Sequence, residues 1–202
     1  MSLFGFYIQV VQALDGINAP YMIVGAFGAI SYGLNRGTHD VDIIVDLNES
    51  HFDALARRFP PPRYYADPDQ MREGMQLGIM FNLIDSEEGT KADLVPLSRE
   101  PEYQEAFARR IQRSFLDTDS ALEAWCARPE DIIIGKLLAW REGQSSKHPN
   151  DIFALLQFDF AGLSDLSIDL DYVQRRAKTH GQDVFSLWLG LVDKAHAARK
   201  QQ

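Results

Sequence analysis

Residues 20–45, PYMIVGAFGAISYGLNRGTHDVDIIV, carry the pattern on which the fold prediction rests. Tyr21–Val24 is a short apolar run between a proline and a glycine, which predicts a buried strand ending in a glycine turn. Residues 26–34 are predicted to form a short helix. Val41–Val45 is rich in β-branched residues and is the strongest strand prediction in the chain.

Two carboxylates lie at the start of the second strand. Because side chains alternate along a strand, Asp40 and Asp42 are expected on one face. Asp46 shares that face but is too far along the chain to share a metal site with Asp40, so it is interpreted as a surface residue. Mg²⁺ prefers oxygen ligands and commonly takes one or two carboxylates plus substrate phosphates. Asp40 and Asp42 are therefore candidate metal ligands, with a solvated strand edge as the alternative.

A third carboxylate is expected on a neighbouring strand. Residues 79–84 and Lys91–Pro96 flank a polar turn and are predicted to form a hairpin. Lys91, Asp93 and Val95 would share one face of that hairpin. Asp93 is the candidate to meet the other two carboxylates and to orient or deprotonate an attacking hydroxyl.

The rest of the chain is mainly helical in pattern. Pro129–Trp140 has proline and acidic residues in its first turn, as helix starts commonly do. Further helices are predicted over 3–14, 49–59, 101–109, 150–158, 169–179 and 183–199, a loop or short helix at 67–74, and strands at 111–116 and 123–127. We expect an α/β domain over residues 1–118 and a helical region over 119–202.

The composition limits the class of partner and compartment. The 202 residues include 20 Lys+Arg and 29 Asp+Glu, a net charge of −9, which argues against long DNA or RNA as the main partner. Cys126 is the single cysteine and is expected to be buried, which excludes an internal disulfide and a cysteine-based zinc site. This cysteine content favours the reducing cytoplasm. The sequence has no apolar run long enough to span a membrane and no secretion signal at Met1.

The glycine turn at Gly25-Ala26, followed by a short helix and then Asp40-Val41-Asp42-Ile43, resembles the nucleotidyltransferase superfamily. The resemblance implies a mixed sheet flanked by helices, followed here by a helical C-terminal region. It also implies a third aspartate on a neighbouring strand, and Asp93 matches that position.

A narrower similarity is to the AbiEii-type and minimal nucleotidyltransferases of bacteria. It includes Arg36-Gly37-Thr38 before the carboxylates and Pro129-Glu130-Asp131 with Lys136 on the same helix. The resemblance implies that Lys136 faces the triphosphate and that Arg36 and Thr38 contact nucleotide. Local pairing of Arg36 and Thr38 with Asp40 is the alternative. The family's later Lys/Arg-x-x-Asp element is matched less closely, by Lys147 and Asp151.

The activity that the resemblance implies is Mg²⁺-dependent, or Mn²⁺-dependent, transfer of a nucleoside monophosphate from an NTP to an acceptor hydroxyl, with pyrophosphate leaving. Asp40, Asp42 and Asp93 would hold metal, and Gly25 and Ala26 would contact phosphates through backbone N–H groups. The acceptor could be a small molecule, a protein or an RNA end, since family relatives modify all three.

One position departs from the family pattern. Ala26 stands where relatives have glycine or serine, which adds a methyl group or removes a hydroxyl beside the expected phosphate. This departure favours a second hypothesis: a weak or silent relative that binds nucleotide or a protein partner, such as an antitoxin or a second copy of the chain. A metal-dependent phosphoesterase is a third hypothesis, and the absence of a histidine cluster counts against it.

Overall fold

The two strands predicted around the glycine turn lie next to each other in the sheet. A computed structural model of the chain describes residues 5–117 and 120–200. In it, β1 (Tyr21–Ile23) pairs antiparallel with β2 (Asp40–Val45), with Tyr21 opposite Val45. All three residues of β1 are buried, and on β2 so are Val41, Ile43, Ile44 and Val45. These apolar strands therefore form the centre of the sheet.

The described strands form one seven-stranded mixed sheet in the order β3-β4-β5-β2-β1-β7-β6. Strand β5 runs parallel to β2, and β7 runs parallel to β1, while the other neighbours are antiparallel. The remaining bounds are β3 (Tyr64–Tyr65), β4 (Phe81–Asp85), β5 (Thr90–Pro96), β6 (Ile111–Asp117) and β7 (Ser120–Cys126). The predicted hairpin is confirmed as β4–β5, and the two-residue β3 is an addition that the sequence did not predict.

The chain divides into two compact units. The first contains the chain up to Phe27 and Gly37–Ala127, and the second contains Gly28–Arg36 and the chain from Arg128 onward. All seven strands belong to the first unit. The predicted domain boundary at residues 118 and 119 lies outside the described residues.

Two helices of the first unit begin at polar N-cap residues. Helix α3 (Glu49–Arg58) starts with a capping box in which the Asn48 side chain accepts a backbone hydrogen bond and the His51 side chain accepts one from the Asn48 amide. Asp67 caps α4 (Pro68–Leu77), so the segment predicted as a loop or short helix is a three-turn helix. The other helical segments are α1 (Gly5–Gly16), a 3₁₀ turn (Leu97–Arg99) and α5 (Pro101–Ala108).

Aromatic side chains fill the core of the first unit beside the sheet. Phe6 packs edge-on against Phe59 with ring centroids 5.8 Å apart and stacks on Tyr64 at 6.0 Å. Tyr7 packs edge-on against Phe27 at 5.4 Å, and Phe27 stacks on Phe115 at 4.9 Å. Aromatic pairs of this geometry stabilise a core beyond the effect of their buried area.

The second unit is helical, as predicted. Its helices are α6 (Pro129–Gly143), α7 (Lys147–Phe160), α8 (Leu170–Thr179) and α9 (Gln182–Arg199). The core includes Ile133, Leu156, Val184 and Trp188, each at most 1% exposed. Helix α7 begins three residues before its predicted start.

The helix after the glycine turn is shorter than predicted. Helix α2 spans Gly25–Ile30 and is followed by a turn in which Gly33 has φ +93°. A Cβ on Gly33 would lie 2.4 Å from the ring of Phe158, so this turn packs closely on α7. The close packing requires glycine and ends the helix early.

The structure also bears on the single cysteine and on the length of the apolar helices. Cys126 is buried, as expected. None of the helices in the described part of the chain is long and apolar enough to cross a membrane.

Candidate active site

Strand β2 places Asp40 and Asp42 on one face because of its period of two. Val41 and Ile43 are fully buried on the opposite face, whereas Asp40 and Asp42 are half-buried. Two residues along a strand correspond to about 6.6 Å, so both carboxylates lie within reach of one small ligand. The strand thus buries its apolar residues and leaves its carboxylates accessible.

Strand β5 brings the third predicted carboxylate beside this pair. In the parallel register, Asp93 is opposite Asp42 and Lys91 is opposite Asp40. Neighbouring strands are about 4.8 Å apart, and residues opposite each other point to the same face. The structure therefore brings Asp40, Asp42 and Asp93 to one face of two adjacent strands.

The glycine turn is packed against Asp42. Gly25 has φ +66°, and a Cβ placed on it would lie 1.9 Å from Oδ2 of Asp42. The Val24 amide donates to the backbone oxygen of Asp42 at 2.9 Å. Only glycine fits here, both for its conformation and for its closeness to the carboxylate. Ala26 follows it and is 8% exposed.

Asp93 is buried and has two polar partners of its own. Its Oδ1 accepts from Nδ2 of Asn82 at 2.5 Å, and Asn82 is its register neighbour on β4. The ammonium of Lys91 donates to Oδ1 and Oδ2 at 2.9 Å and 2.6 Å. The hydrogen bond to Asp93 raises the pKa of Lys91, and the charges of all three aspartates raise it further, against the lowering effect of desolvation. A protonated ammonium therefore lies among the carboxylates.

Thr38 is also part of this face. Its hydroxyl is 2.6 Å from Oδ1 of Asp40 and 3.0 Å from the backbone oxygen of the same residue. The alternative of local pairing is therefore the arrangement seen for Thr38. Its predicted nucleotide contact stays a prediction.

Tyr7 on α1 lies close to the same carboxylates, and the sequence did not single it out. The side chain is 1% exposed, and its hydroxyl has no hydrogen-bond partner within residues 5–117 and 120–200. Burial, followed by the charges of Asp40 and Asp93, raises the pKa of Tyr7 to about 12. The hydroxyl is therefore a neutral, buried group near two negative charges.

In the second unit, Asp151 forms ion pairs with Arg36 and Lys136, the two charged residues predicted to contact nucleotide. Arg36 donates to both of its oxygens at 2.7 Å and 2.8 Å, and Lys136 donates to Oδ2 at 2.6 Å. The side chains of Lys136 and Asp151 are 5% and 4% exposed, whereas that of Arg36 is 39% exposed. Within the second unit Arg36 is thus paired with Asp151, and its alternative pairing with Asp40 stays a prediction.

Asp151 is ionised in this setting. Burial raises the pKa of Asp151, but the hydrogen bonds from Arg36 and Lys136 outweigh burial and hold it below its ordinary value. Burial, followed by the charges of Lys147 and Lys136, lowers the pKa of His148 nearby. The predicted nucleotide contacts of Lys136 and Arg36 stay predictions, and Asp151 is their partner in the structure.

The carboxylate face suits a cation of the kind that the resemblance implies. No three His, Cys, Asp or Glu side chains among the described residues are arranged to hold a metal ion. Two carboxylates together with substrate phosphates are nevertheless a usual ligand set for Mg²⁺. Gly25 lets the Asp42 carboxylate lie directly against the glycine turn, and the ammonium of Lys91 shows that a cation is accommodated among these charges. Asp93 as a third metal ligand stays a prediction.

The sequence does not predict several of the contacts that surround the carboxylates. Asn82 was placed on a strand, but its closeness to Asp93 depends on the β4–β5 register. Lys91 was assigned to the correct face, and its alternation with Asp93 was a usable signal for the ion pair. The 115-residue separation between Arg36 and Asp151 left no local signal for their contact.

Comparison with known proteins places the fold. No family model and no curated protein matches the sequence. Among solved structures, an antigenic nucleotidyltransferase-like protein from Paracoccidioides brasiliensis is 16% identical with a TM-score of 0.54, covering 95% of this chain and 88% of that chain. JHP933 from Helicobacter pylori is 14% identical with a TM-score of 0.49, covering 98% and 90%. The antibiotic-resistance factor ANT(2'')-Ia is 14% identical with a TM-score of 0.45, covering 100% and 98%. The chain has the nucleotidyltransferase-like fold, which confirms the expected fold class.

Proposed function

We propose that this chain, with its nucleotidyltransferase-like fold, transfers a nucleoside monophosphate from an NTP to an acceptor hydroxyl in the presence of Mg²⁺ or Mn²⁺. The observation that carries the proposal is the register of β2 and β5, which sets Asp42 beside Asp93 with Asp40 on the same face. A small phosphate ligand brought with its cation is compatible with a net charge of −9, because the cation neutralises the carboxylates.

The candidate site residues of the first unit have proposed roles that follow from their positions. Asp40 and Asp42 would hold the divalent cation, and backbone N–H groups of the turn at Gly25 and Ala26 would contact the phosphates. When bound, the cation withdraws charge from the phosphates and stabilises the leaving pyrophosphate. Asp93 would orient the acceptor hydroxyl and accept its proton.

The reaction forms one bond and breaks one. The acceptor oxygen attacks the α-phosphorus, the bond between that phosphorus and the bridging oxygen to the β-phosphate breaks, and pyrophosphate leaves with that oxygen. The hydroxyl proton passes to the carboxylate of Asp93. Positioning and charge stabilisation supply most of the acceleration in reactions of this type.

The test measures pyrophosphate release and transfer of label. The purified chain is incubated with each α-³²P-labelled NTP, Mg²⁺ or Mn²⁺, and acceptors of three classes: small hydroxyl compounds, proteins and RNA. We expect one combination to give labelled acceptor and pyrophosphate in equal amounts. Asp40→Asn and Asp42→Asn should abolish both, whereas the control Asp46→Asn, an exposed position just beyond β2, should keep them.

The predicted loss for Asp93→Asn is smaller and has a physical bound. General-base catalysis typically contributes about 10²–10⁴-fold, so we expect a rate decrease in that range with nucleotide affinity kept. If no acceptor is labelled with any NTP, and if Asp40→Asn and Asp42→Asn leave nucleotide binding unchanged, the proposal is wrong.

A second candidate is a protein that binds nucleotide without transferring it. Two features favour it: Ala26 is buried at a position where the family resemblance implies glycine or serine, and Asp93 is already engaged by Lys91. In that case the chain would act through a protein partner, such as an antitoxin or a second copy of the chain. Nucleotide binding without pyrophosphate release, together with partner binding that depends on nucleotide, would favour this candidate.

A further inference from the structure

Asn82 contacts the most buried of the three carboxylates, and the proposed reaction gives it no role. On β4 it lies opposite Asp93 in the antiparallel register, so both side chains are on the same face of the sheet. Its side-chain nitrogen lies 2.5 Å from Oδ1 of Asp93, which is 5% exposed. An ionised carboxylate can only accept hydrogen bonds, so the amide presents its NH₂ group to Asp93.

The two oxygens of Asp93 are engaged unequally. Oδ1 accepts from Asn82 at 2.5 Å and from Lys91 at 2.9 Å. Oδ2 accepts from Lys91 at 2.6 Å and from no other residue in the described part of the chain. Each oxygen of an ionised carboxylate offers about two lone pairs. Both lone pairs of Oδ1 are therefore taken, whereas Oδ2 keeps one for a further donor.

Lys91 cannot fix the orientation of Asp93 by itself, because its ammonium is shared. The hydrogen bond to Asp93 raises the pKa of Lys91, and the charges of Asp40 and Asp42 also raise it. The side chain is 43% exposed and ends a flexible stem. Asn82 has a shorter side chain, on a strand whose position is set by its backbone pairing with β5. The amide is therefore the contact that fixes the plane of the Asp93 carboxylate.

We propose that Asn82 is the positioning residue of Asp93, and that it holds Oδ1 so that Oδ2 accepts the proton of the acceptor hydroxyl. The inference rests on the proposed function, because it assigns an atom and a partner to the general base of that reaction. The O–H bond of the acceptor breaks as its oxygen bonds to the α-phosphorus, and the proton passes to Oδ2. Pyrophosphate leaves with the electron pair of the broken P–O bond. Asn82 acts in this step only through Asp93.

The kinetic test measures kcat and KM of the full chain with the NTP and acceptor that the transfer assay identifies. Asn82→Leu removes the donor and should lower kcat about 10- to 100-fold, with the KM for the NTP kept. Asn82→Gln keeps the carboxamide at a half-buried position and should lose less. The control Ile84→Val lies on the same face of β4, changes no side-chain hydrogen bond and should keep kcat.

A second background separates a positioning role from a structural one. A residue that acts only through the Asp93 carboxylate loses its effect when that carboxylate is removed. In the Asp93→Asn background, Asn82→Leu should therefore change kcat by less than about twofold. A merely structural role for Asn82 would give the same fold-loss in both backgrounds. Circular dichroism of each variant establishes that it is folded.

Nuclear magnetic resonance supplies a readout that does not depend on turnover. In ¹H–¹⁵N spectra, the Asn82 side-chain amide is the resonance pair that Asn82→Leu lacks. One of its protons should lie downfield of those of exposed asparagines and should return to their range in Asp93→Ala. It should keep its position when the α,β-methylene analogue of the NTP, Mg²⁺ and the acceptor are added. A return to the range of exposed amides on this addition would mean that the acceptor takes Oδ1, which would overturn the inference.

The outcomes separate this inference from the proposed function. An unchanged kcat in Asn82→Leu, an equal loss in both backgrounds, or a loss in Asn82→Gln as large as that in Asn82→Leu would overturn the inference. Each of these results leaves the proposed function standing, because the unmodified chain is active in all of them. If the unmodified chain labels no acceptor, the proposed function fails and the inference fails with it.

Discussion

Asp151→Asn removes the negative charge that Arg36 and Lys136 share in the second unit. The substitution keeps the size of the side chain but removes the carboxylate that accepts the 2.6 Å hydrogen bond of Lys136, whose side chain is 5% exposed. Removing one member of a buried ion pair typically costs about 3–5 kcal/mol. Arg36, at 39% exposed, can return to water, so it adds little to that cost.

The companion variants separate the charge from the packing. Lys136→Met leaves Asp151 paired with Arg36, so it should cost less than Asp151→Asn. Combining Lys136→Met with Asp151→Leu replaces the buried pair with apolar side chains, a change that is often neutral or stabilising. We therefore expect this double variant to be more stable than Asp151→Asn by at least ~2 kcal/mol.

Urea unfolding followed by tryptophan fluorescence measures these differences. The chain has three tryptophans, and Trp125→Phe leaves Trp140 and Trp188, both on helices of the second unit, as reporters. All variants are compared in that background. A change of less than about 1 kcal/mol for Asp151→Asn, or a double variant less stable than the single one, would show that the buried charge of Lys136 does not need Asp151 as its partner.

Three further predictions concern pH, the glycine turn and a buried hydroxyl. Asp151 has a lowered pKa in the folded chain, so its ionisation adds stability above the ordinary aspartate pKa of about 3.9, and this stability is lost as the pH falls toward the lowered pKa. The difference in unfolding free energy between the unmodified chain and Asp151→Asn, measured by urea titration, should therefore shrink below about pH 4. Gly25→Ala should lower the melting temperature more than Gly89→Ala, because both have positive φ (+66° and +65°) but the new methyl group meets a carboxylate only at Gly25; equal shifts in a thermal scan would contradict this. Tyr7→Phe removes a buried hydroxyl without a partner among the described residues, so the free energy of unfolding in urea should stay unchanged or rise by up to about 1 kcal/mol; a clear loss would mean that the hydroxyl is hydrogen-bonded.

Local patterns predicted most of the secondary structure. The β-branched strand β2 and helix α6, which begins with a proline, lie where the sequence predicts them. Strand and helix periodicity depend on residues that are close in the sequence. The errors are local too: α2 ends early because Gly33 packs on Phe158, a residue far along the chain. Strand β3 has two residues, which is too short for an alternating pattern to be visible.

The sequence predicts which carboxylates belong to the site, but not which strands bring them side by side. The alternation of Asp40 and Asp42 follows from one strand, and that prediction needs no tertiary contact. The position of Asp93 beside Asp42 needs the parallel register of β2 and β5, which the sequence did not specify. The salt bridge from Lys91 to Asp93 could be inferred from their alternation on one strand, but its closeness to Asp40 and Asp42 could not.

Residue types and short-range spacing were enough to predict the α/β character, the glycine turn and the two carboxylates on one strand face. These features depend on residue type and spacing over a few residues, and a short window contains all of that information. Tertiary structure alone decided the sheet order, the opposition of Asp42 and Asp93, and the pairing of Asp151 with Arg36 and Lys136. Those contacts join residues far apart in the chain, and they form because burying apolar strands and helices brings the charged side chains together.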